Sequence, residues 1–292
     1  MTNNEKPISK GGTMILPSSL LFLCLSLIPL GMLIFFSFID GNISMAGEIK
    51  GFTIENLTRM FSNFTFTKLM FKSVGIGMLV TVICIVISYP TAWGIAKVVK
   101  SKYKNLLMML VIVPFFTSQL LLIYAIMVIF QAKGVVMTLL GNLNIADPST
   151  SILYSNLAVV IVLVYEYLPY MILSLYTSIE GIDDNLISAS QSLGAGRWNT
   201  FKNIVFPMSI PGLLSGILLV LVPVTGSFVE PTLVGGPNGM MVGSLINSQF
   251  TVVLNMGYGA ALSFVFLIIL SIIMAIIKRS INSANKSIGG MD

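Results

Sequence analysis

Six long apolar runs, residues 14–39, 69–96, 105–130, 152–177, 209–233 and 257–277, dominate this sequence of 292 residues. A helix needs about 20 mostly apolar residues to cross the hydrocarbon of a bilayer, and each run has that length. Only 9% of the residues are charged, where a soluble domain carries about 25%. Too little charge is left to cover a water-facing surface. The expected fold class is therefore all-α: a polytopic membrane bundle of six transmembrane helices over residues 14–278, between short tails at 1–13 and 279–292.

The first run is about 25 residues long, well beyond the 7–15 of a signal-peptide core, so it reads as a retained helix. Pro29, Pro90, Pro114, Pro169 and Pro223 fall inside spans. Such kinks are tolerated in lipid where neighbouring groups satisfy the freed carbonyls. Cys24 and Cys84 both lie in apolar runs and read as packing residues rather than a disulfide or metal pair. With no histidine in the chain, imidazole metal ligands, bases and proton relays are excluded. The net charge of +5 is concentrated at span ends, which points to anionic lipid headgroups and not to nucleic acid.

Lysine and arginine set the expected orientation. With the N-terminus inside, eleven of the 16 basic residues fall in inside segments, and Lys97, Lys100, Lys102 and Lys104 crowd one short loop. The positive-inside rule then puts both termini in the cytoplasm, for a chain expected in the plasma (inner) membrane. The segment between the fourth and fifth spans is on the same side.

That segment, "DDNLISASQSLGAGRWNTFKNIVFPMSIPG" at 183–212, is far longer than a simple reversal requires. Asp183 and Asp184 suit a helix N-terminus. Leu186, Ile187, Ser190 and Leu193 follow at helical spacing, and Gly194 and Gly196 end the run. A second turn starts near Arg197, with Trp198, Phe201 and Val205 along one face, and Pro207 and Pro211 are expected to separate it from the next span. An amphipathic hairpin of this kind either lies in the headgroups or docks on a partner. Basic residues are too few for a surface-lying helix, and Ser188, Ala189, Ser190, Gly194, Ala195 and Gly196 allow close approach by another protein.

"SASQSLGAGRWNTFKNIVFPMSIPG" resembles the cytoplasmic Glu-Ala-Ala loop of the permease subunits of ATP-binding cassette importers. Ala189, Gly194, Ile204 and Pro207 fall on that pattern, whereas Ser188 stands where the family usually has glutamate and Ser190 where it has the second alanine. "YEYLPYMILSLYTSIEGID", "GSFVEPTLVGGPNGMMVGSLI" and "GYGAALS" are similar to the spermidine/putrescine branch. The resemblance implies the fold of a type I importer permease, with a coupling loop at 183–207 seated in a cleft of a cytoplasmic ATPase. Ser188, Ala189, Leu193, Gly194, Ala195, Arg197, Trp198, Phe201 and Pro207 are the residues expected to couple to it. Phe201 suits internal packing equally well. The implied partners are an ATPase dimer, a second permease chain and an extracytoplasmic substrate-binding protein, with polyamine as cargo.

No G-x-x-x-x-G-K-[ST] phosphate loop occurs, and the dipeptide Gly-Lys is absent. No cofactor and no metal are expected on this chain, and no catalytic residue; ATP and magnesium belong to the partner ATPase. The chain is read as a transport subunit and not an enzyme. Two acids, Glu166 and Glu230, lie in apolar surroundings, where an ionised carboxylate costs about 2.5–3.5 kcal/mol at mid-bilayer and so faces a cavity or a partner. With Tyr167, Tyr170 and Phe228 nearby in sequence, they form a candidate path for an organic cation. The blander alternatives are a hydrogen bond from Glu166 to a neighbouring helix and a wet interfacial position for Glu230. Gly212 and Gly216 form a G-x-x-x-G suited to close helix packing. "LVGGPNG" at 233–239 suits either a gate or a chain reversal. The rival classes are an ion-coupled secondary transporter, an importer of another small solute, and a non-conducting scaffold.

Overall fold

The computed structural model describes residues 9–40, 51–62, 64–145 and 147–289, so most of the tail expected at 1–13 lies outside the described residues. Among these, six helical segments are long and apolar enough to cross a membrane: Pro17–Ser37, Phe64–Val98, Gln119–Asn142, Asn156–Glu180, Arg197–Gly226 and Met256–Ser280. The chain divides into two compact units, Met1–Phe64 with Ile246–Leu267, and Thr65–Leu245 with Ile268–Asp292.

In the first unit, α1 (Ser9–Ser37) leads into strand β1 (Ile39–Asp40), which pairs antiparallel with β2 (Gly51–Phe52) before α2 (Glu55–Ser62). Asn56 Nδ2 donates to the carbonyls of Ile39 at 2.9 Å and Ser37 at 3.3 Å, which satisfies backbone acceptors left free at the helix end. Arg59 lies 5.0 Å over the ring of Tyr258, a residue of the last helix, α13 (Met256–Gly289). That helix runs on past residue 279, through the segment read from sequence as a tail. Cys24 is exposed on α1, as an apolar residue facing lipid or another chain would be.

The second unit is built around two helices, α7 (Asn156–Glu180) and α10 (Phe206–Gly226). Their contact depends on Gly212 and Gly216, as the G-x-x-x-G spacing predicts. A Cβ on Gly212 would stand 2.4 Å from Ser178 Cβ and 2.7 Å from the Ser174 carbonyl, and one on Gly216 would stand 2.6 Å from Met171 Sδ. Close approach lets Ser174 Oγ donate to the Gly212 carbonyl at 2.7 Å. The second span, α3 (Phe64–Trp93), packs on both: Gly77 meets Thr225 and Leu221, and buried Cys84 reaches the Val164 carbonyl.

The third and fifth spans depart from the sequence reading. Instead of one helix over 105–130, α4 (Ser101–Ile112) passes into a 3-10 turn at Val113–Phe116, then an extended Thr117–Ser118. Pro114 has no N–H to continue the ladder. The chain restarts as α5 (Gln119–Phe130) and then α6 (Val135–Asn142), the latter lying between the apolar runs 105–130 and 152–177. The fifth span, expected at 209–233, begins earlier and ends at Gly226. Pro207 and Pro211 do not separate it from the preceding turn. A π-turn at Phe201–Val205, in which the Phe206 N–H bonds the Phe201 carbonyl, shifts the register so that the helix continues past Pro207. A similar π-turn, Gly94–Val98, ends α3. After Gly226 the chain breaks at Ser227–Phe228 and re-forms as a π-turn, Pro231–Gly235, then α11 (Gly236–Gly239) and α12 (Val242–Thr251). "LVGGPNG" is thus largely helical, and Lys72 fastens its end by donating to the Met240 carbonyl at 2.9 Å.

Candidate functional site

Loop 183–207 folds as a helical hairpin. Asp183 caps α8 (Asp184–Ser192) by accepting the Asn185 N–H at 2.9 Å. Leu193 and Gly194 turn the chain, and the Ala195 N–H reaches the Ser190 carbonyl at 3.1 Å. Gly194 has φ +85, a conformation costly for any residue with a Cβ. Gly196 then precedes α9 (Arg197–Thr200), which flows through the π-turn into α10. Across the hairpin, Ser190 Oγ and Thr200 Oγ1 lie 3.1 Å apart. This bond ties the two arms together.

The candidate coupling residues separate by exposure. Leu193 is 89% exposed and Trp198 72%; Ser188, Ala189, Gly194 and Arg197 are exposed as well, while Ala195 and Pro207 are half-buried. Phe201 turns inward instead. Its ring meets Tyr89 edge-on at 5.7 Å, Trp93 at 6.3 Å and Phe206 at 6.2 Å, and Trp198 stacks on its other side at 5.6 Å. Phe201 therefore anchors the hairpin to the end of α3 and gives Trp198 a rigid backing. Tyr89 reinforces the anchor through a 2.8 Å hydrogen bond to Ser209. A cavity of about 870 Å³ opens beside this cluster, between the hairpin and the ends of α3 and α4. At its wall Asp184 meets the Lys97 ammonium at 2.7 Å, and that hydrogen bond and charge hold the Asp184 carboxyl below its usual range.

A second polar site lies inside the bundle, where two spans lose regularity beside the middle of α7. Glu230, 1% exposed, sits just after the Ser227–Phe228 break. It accepts from Gln119 Nε2 at 2.6 Å, and from Ser227 Oγ through its other oxygen. Gln119 is the first residue of α5, after the break made at Pro114. Glu166, from the middle of α7, interacts with both Glu230 and Gln119, and its Oε2 is buried without a hydrogen-bond partner among the described residues. The two acids singled out from sequence thus come together, and Glu230 is not a wet interfacial residue. Tyr167 and Tyr170 stand 5.8 Å apart, and Phe115 packs on Tyr170 at 4.6 Å. Phe228 is 43% exposed. Gln119 and Ser227 were not singled out in the sequence; the only local signal is a polar pair, Ser118–Gln119, in an apolar run. Irregular backbone at membrane depth is stable only when it is buried or lines a cavity, so breaks of this kind mark a site.

A helical bundle of membrane-length spans, with buried acids among broken helices and a rigid polar hairpin at one end, defines a membrane transport subunit. Residues 88–284 match the family described as binding-protein-dependent transport system inner membrane component, and the chain belongs to that family. It is 35% identical to the spermidine/putrescine transport system permease protein PotB of Haemophilus influenzae over 81% of this chain and 82% of that protein. The Escherichia coli protein of the same name is also 35% identical, over 81% of this chain and 86% of that one. A crystal structure of a bacterial transporter that imports the acidic polysaccharide alginate matches with a TM-score of 0.78 at 15% identity, covering 93% of this chain and 94% of that one. That likeness carries the fold alone.

Proposed function

We propose that this chain is the conducting subunit of an ATP-driven importer of polyamines, and that hairpin 183–207 lies in the cytoplasm and docks a separate ATPase. The observation that carries the substrate reading is the convergence of Glu166 and Glu230, in a chain 35% identical to spermidine/putrescine permeases. Two buried carboxyls are costly in an empty bundle, and a passing ammonium offsets that cost. Tyr167 and Tyr170 offer ring faces to the same cation. Inorganic anions find no complement in such a site.

Coupling residues on this reading are the exposed Leu193, Trp198, Ser188, Ala189, Gly194 and Arg197, with Ala195, Phe201 and Pro207 shaping the hairpin from behind. A two-state bundle is driven from 1:99 to 99:1 by about 5.5 kcal/mol of preference for one state. A few buried aromatic and aliphatic contacts in an ATPase cleft supply that much. The ATPase dimer holds ATP and magnesium; this chain holds no cofactor. A second permease chain completes the bundle, and an extracytoplasmic binding protein delivers cargo. The excess of basic residues in the segments on the side of the hairpin supports a cytoplasmic position for both termini.

Labelled spermidine uptake into cells producing the complete transporter tests the substrate class. Competition by unlabelled putrescine, and none by molybdate or ferric citrate, is expected. Competition by an inorganic anion alone would reject the polyamine reading.

A further inference from the structure

The hairpin is fastened to the bundle by more than its own chain. Lys97 belongs to the π-turn that ends α3, and its side chain is only 8% exposed. Its ammonium donates to the Ile182 carbonyl at 2.6 Å, to Asp184 Oδ1 at 2.7 Å and to the Glu180 carbonyl at 3.4 Å. An ammonium has three donors, and all three are used. Two of the acceptors are carbonyls at the end of α7 (Glu180) and two residues beyond it (Ile182), where a positive charge offsets the helix dipole; the third is the first residue of α8. Lys104, in the first turn of α4, donates to both carboxylate oxygens of Glu180, at 3.0 and 3.1 Å, and to the Ala96 carbonyl at 2.5 Å. Lysines that only report membrane orientation extend into water. These two instead knot four chain segments together: the end of α3, the start of α4, the end of α7 and the start of α8.

The knot leads somewhere. From Lys104, α4 runs on to Ile112, a rod about 13 Å long at 1.5 Å per residue. The 3-10 turn and the extended pair follow, and the next residue is Gln119, whose amide holds Glu230. Glu180, Lys104, α4, Gln119 and Glu230 thus form one connected track between the base of the hairpin and the acid cluster.

We infer that Lys97 and Lys104 are positioning residues of the coupling device, tying the hairpin to α4 so that its displacement reaches the acid cluster through Gln119 as well as along α7 and α10. This rests on the reading of the hairpin as the ATPase dock. The track is a physical connection, and its coupling is measured by variants.

The experiment uses the complete transporter in lipid vesicles: this chain with its ATPase, second permease and binding protein. Lys104→Met and Glu180→Gln should each raise the ATP hydrolysed per polyamine imported by about threefold or more. Co-purification of the ATPase should stay at the wild-type level. The double variant should be no worse than either single one, because both remove the same contact. Lys97→Met should uncouple in the same way, with Lys97→Arg restoring the wild-type ratio. Should Lys104→Met fail to assemble, Glu180→Gln carries the test, since it conserves volume and an acceptor oxygen. Wild-type ratios in the single variants, additive effects in the double, or loss of ATPase association in Glu180→Gln would each overturn the inference. A wild-type complex that imports without ATP would overturn the docking reading beneath it.

Discussion

Replacing Glu166 with Gln should make the protein more stable and the transporter worse. Glu166 Oε2 is buried without a hydrogen-bond partner among the described residues, and the Glu230 carboxyl is its neighbour. A buried polar atom left unpaired costs about 1–3 kcal/mol, and more when charged. The amide has the same shape and brings an N–H donor that can pair with the Glu230 carboxyl, so the empty protein should gain about 1 kcal/mol. The same change removes a charge-assisted hydrogen bond to a bound ammonium, about 1.5–3 kcal/mol, which is about a 10- to 150-fold loss of apparent affinity. Thermal unfolding of the purified chain in detergent and the KM for spermidine in vesicles read the two effects separately. A higher Tm with a raised KM is expected. A lower Tm, or a higher Tm with an unchanged KM, would refute the assignment of Glu166 to a cation path.

Further expectations follow from other parts of the molecule. Glu230→Gln keeps an acceptor for Gln119 and should raise the KM for spermidine about tenfold or more, with ATPase association intact by co-purification. Trp198→Ala and Leu193→Ala should abolish co-purification of the ATPase while leaving the Tm nearly unchanged, because both side chains are exposed; Phe201→Ala should lower the Tm, since truncating a fully buried ring costs about 3–5 kcal/mol and this half-buried one somewhat less. Gly212→Leu should destabilise the chain by about 1–3 kcal/mol or more, since the Ser174 carbonyl that meets the new Cβ is backbone and cannot turn aside. The Asp184 carboxyl is depressed below 3.8 by Lys97, so its contribution is present above that value and is lost as pH falls through the lower, folded one. Acid unfolding of Asp184→Asn should accordingly lack that component.

The spans were legible because a run of about 20 apolar residues has few other uses. So was the hairpin, through its aspartate cap, its glycine pair and its helical spacing. The third span was misplaced because Pro114 weighs little inside an apolar run until Ser118 restarts the chain two residues beyond the turn. Pro207 misled in the opposite direction: a π-turn absorbed it, and a sequence period of 3.6 does not signal a shift to five-residue bonding. Glu166 and Glu230 were conspicuous as acids among apolar residues, but Gln119 and Ser227 became site residues only through contacts with partners distant in the chain or across a break. Lys97 and Lys104 carried weight as topological charges, yet their geometry is that of ties. Long-range pairing of this kind leaves no local trace in composition.

Uptake by the reconstituted transporter, with and without ATP, tests the central claim that this chain conducts while a separate ATPase drives it through hairpin 183–207. Spermidine should accumulate only when ATP and the ATPase subunit are both present, and Trp198→Ala should abolish accumulation together with ATPase association. Accumulation driven by an ion gradient alone, or surviving removal of residues 188–203, would contradict it.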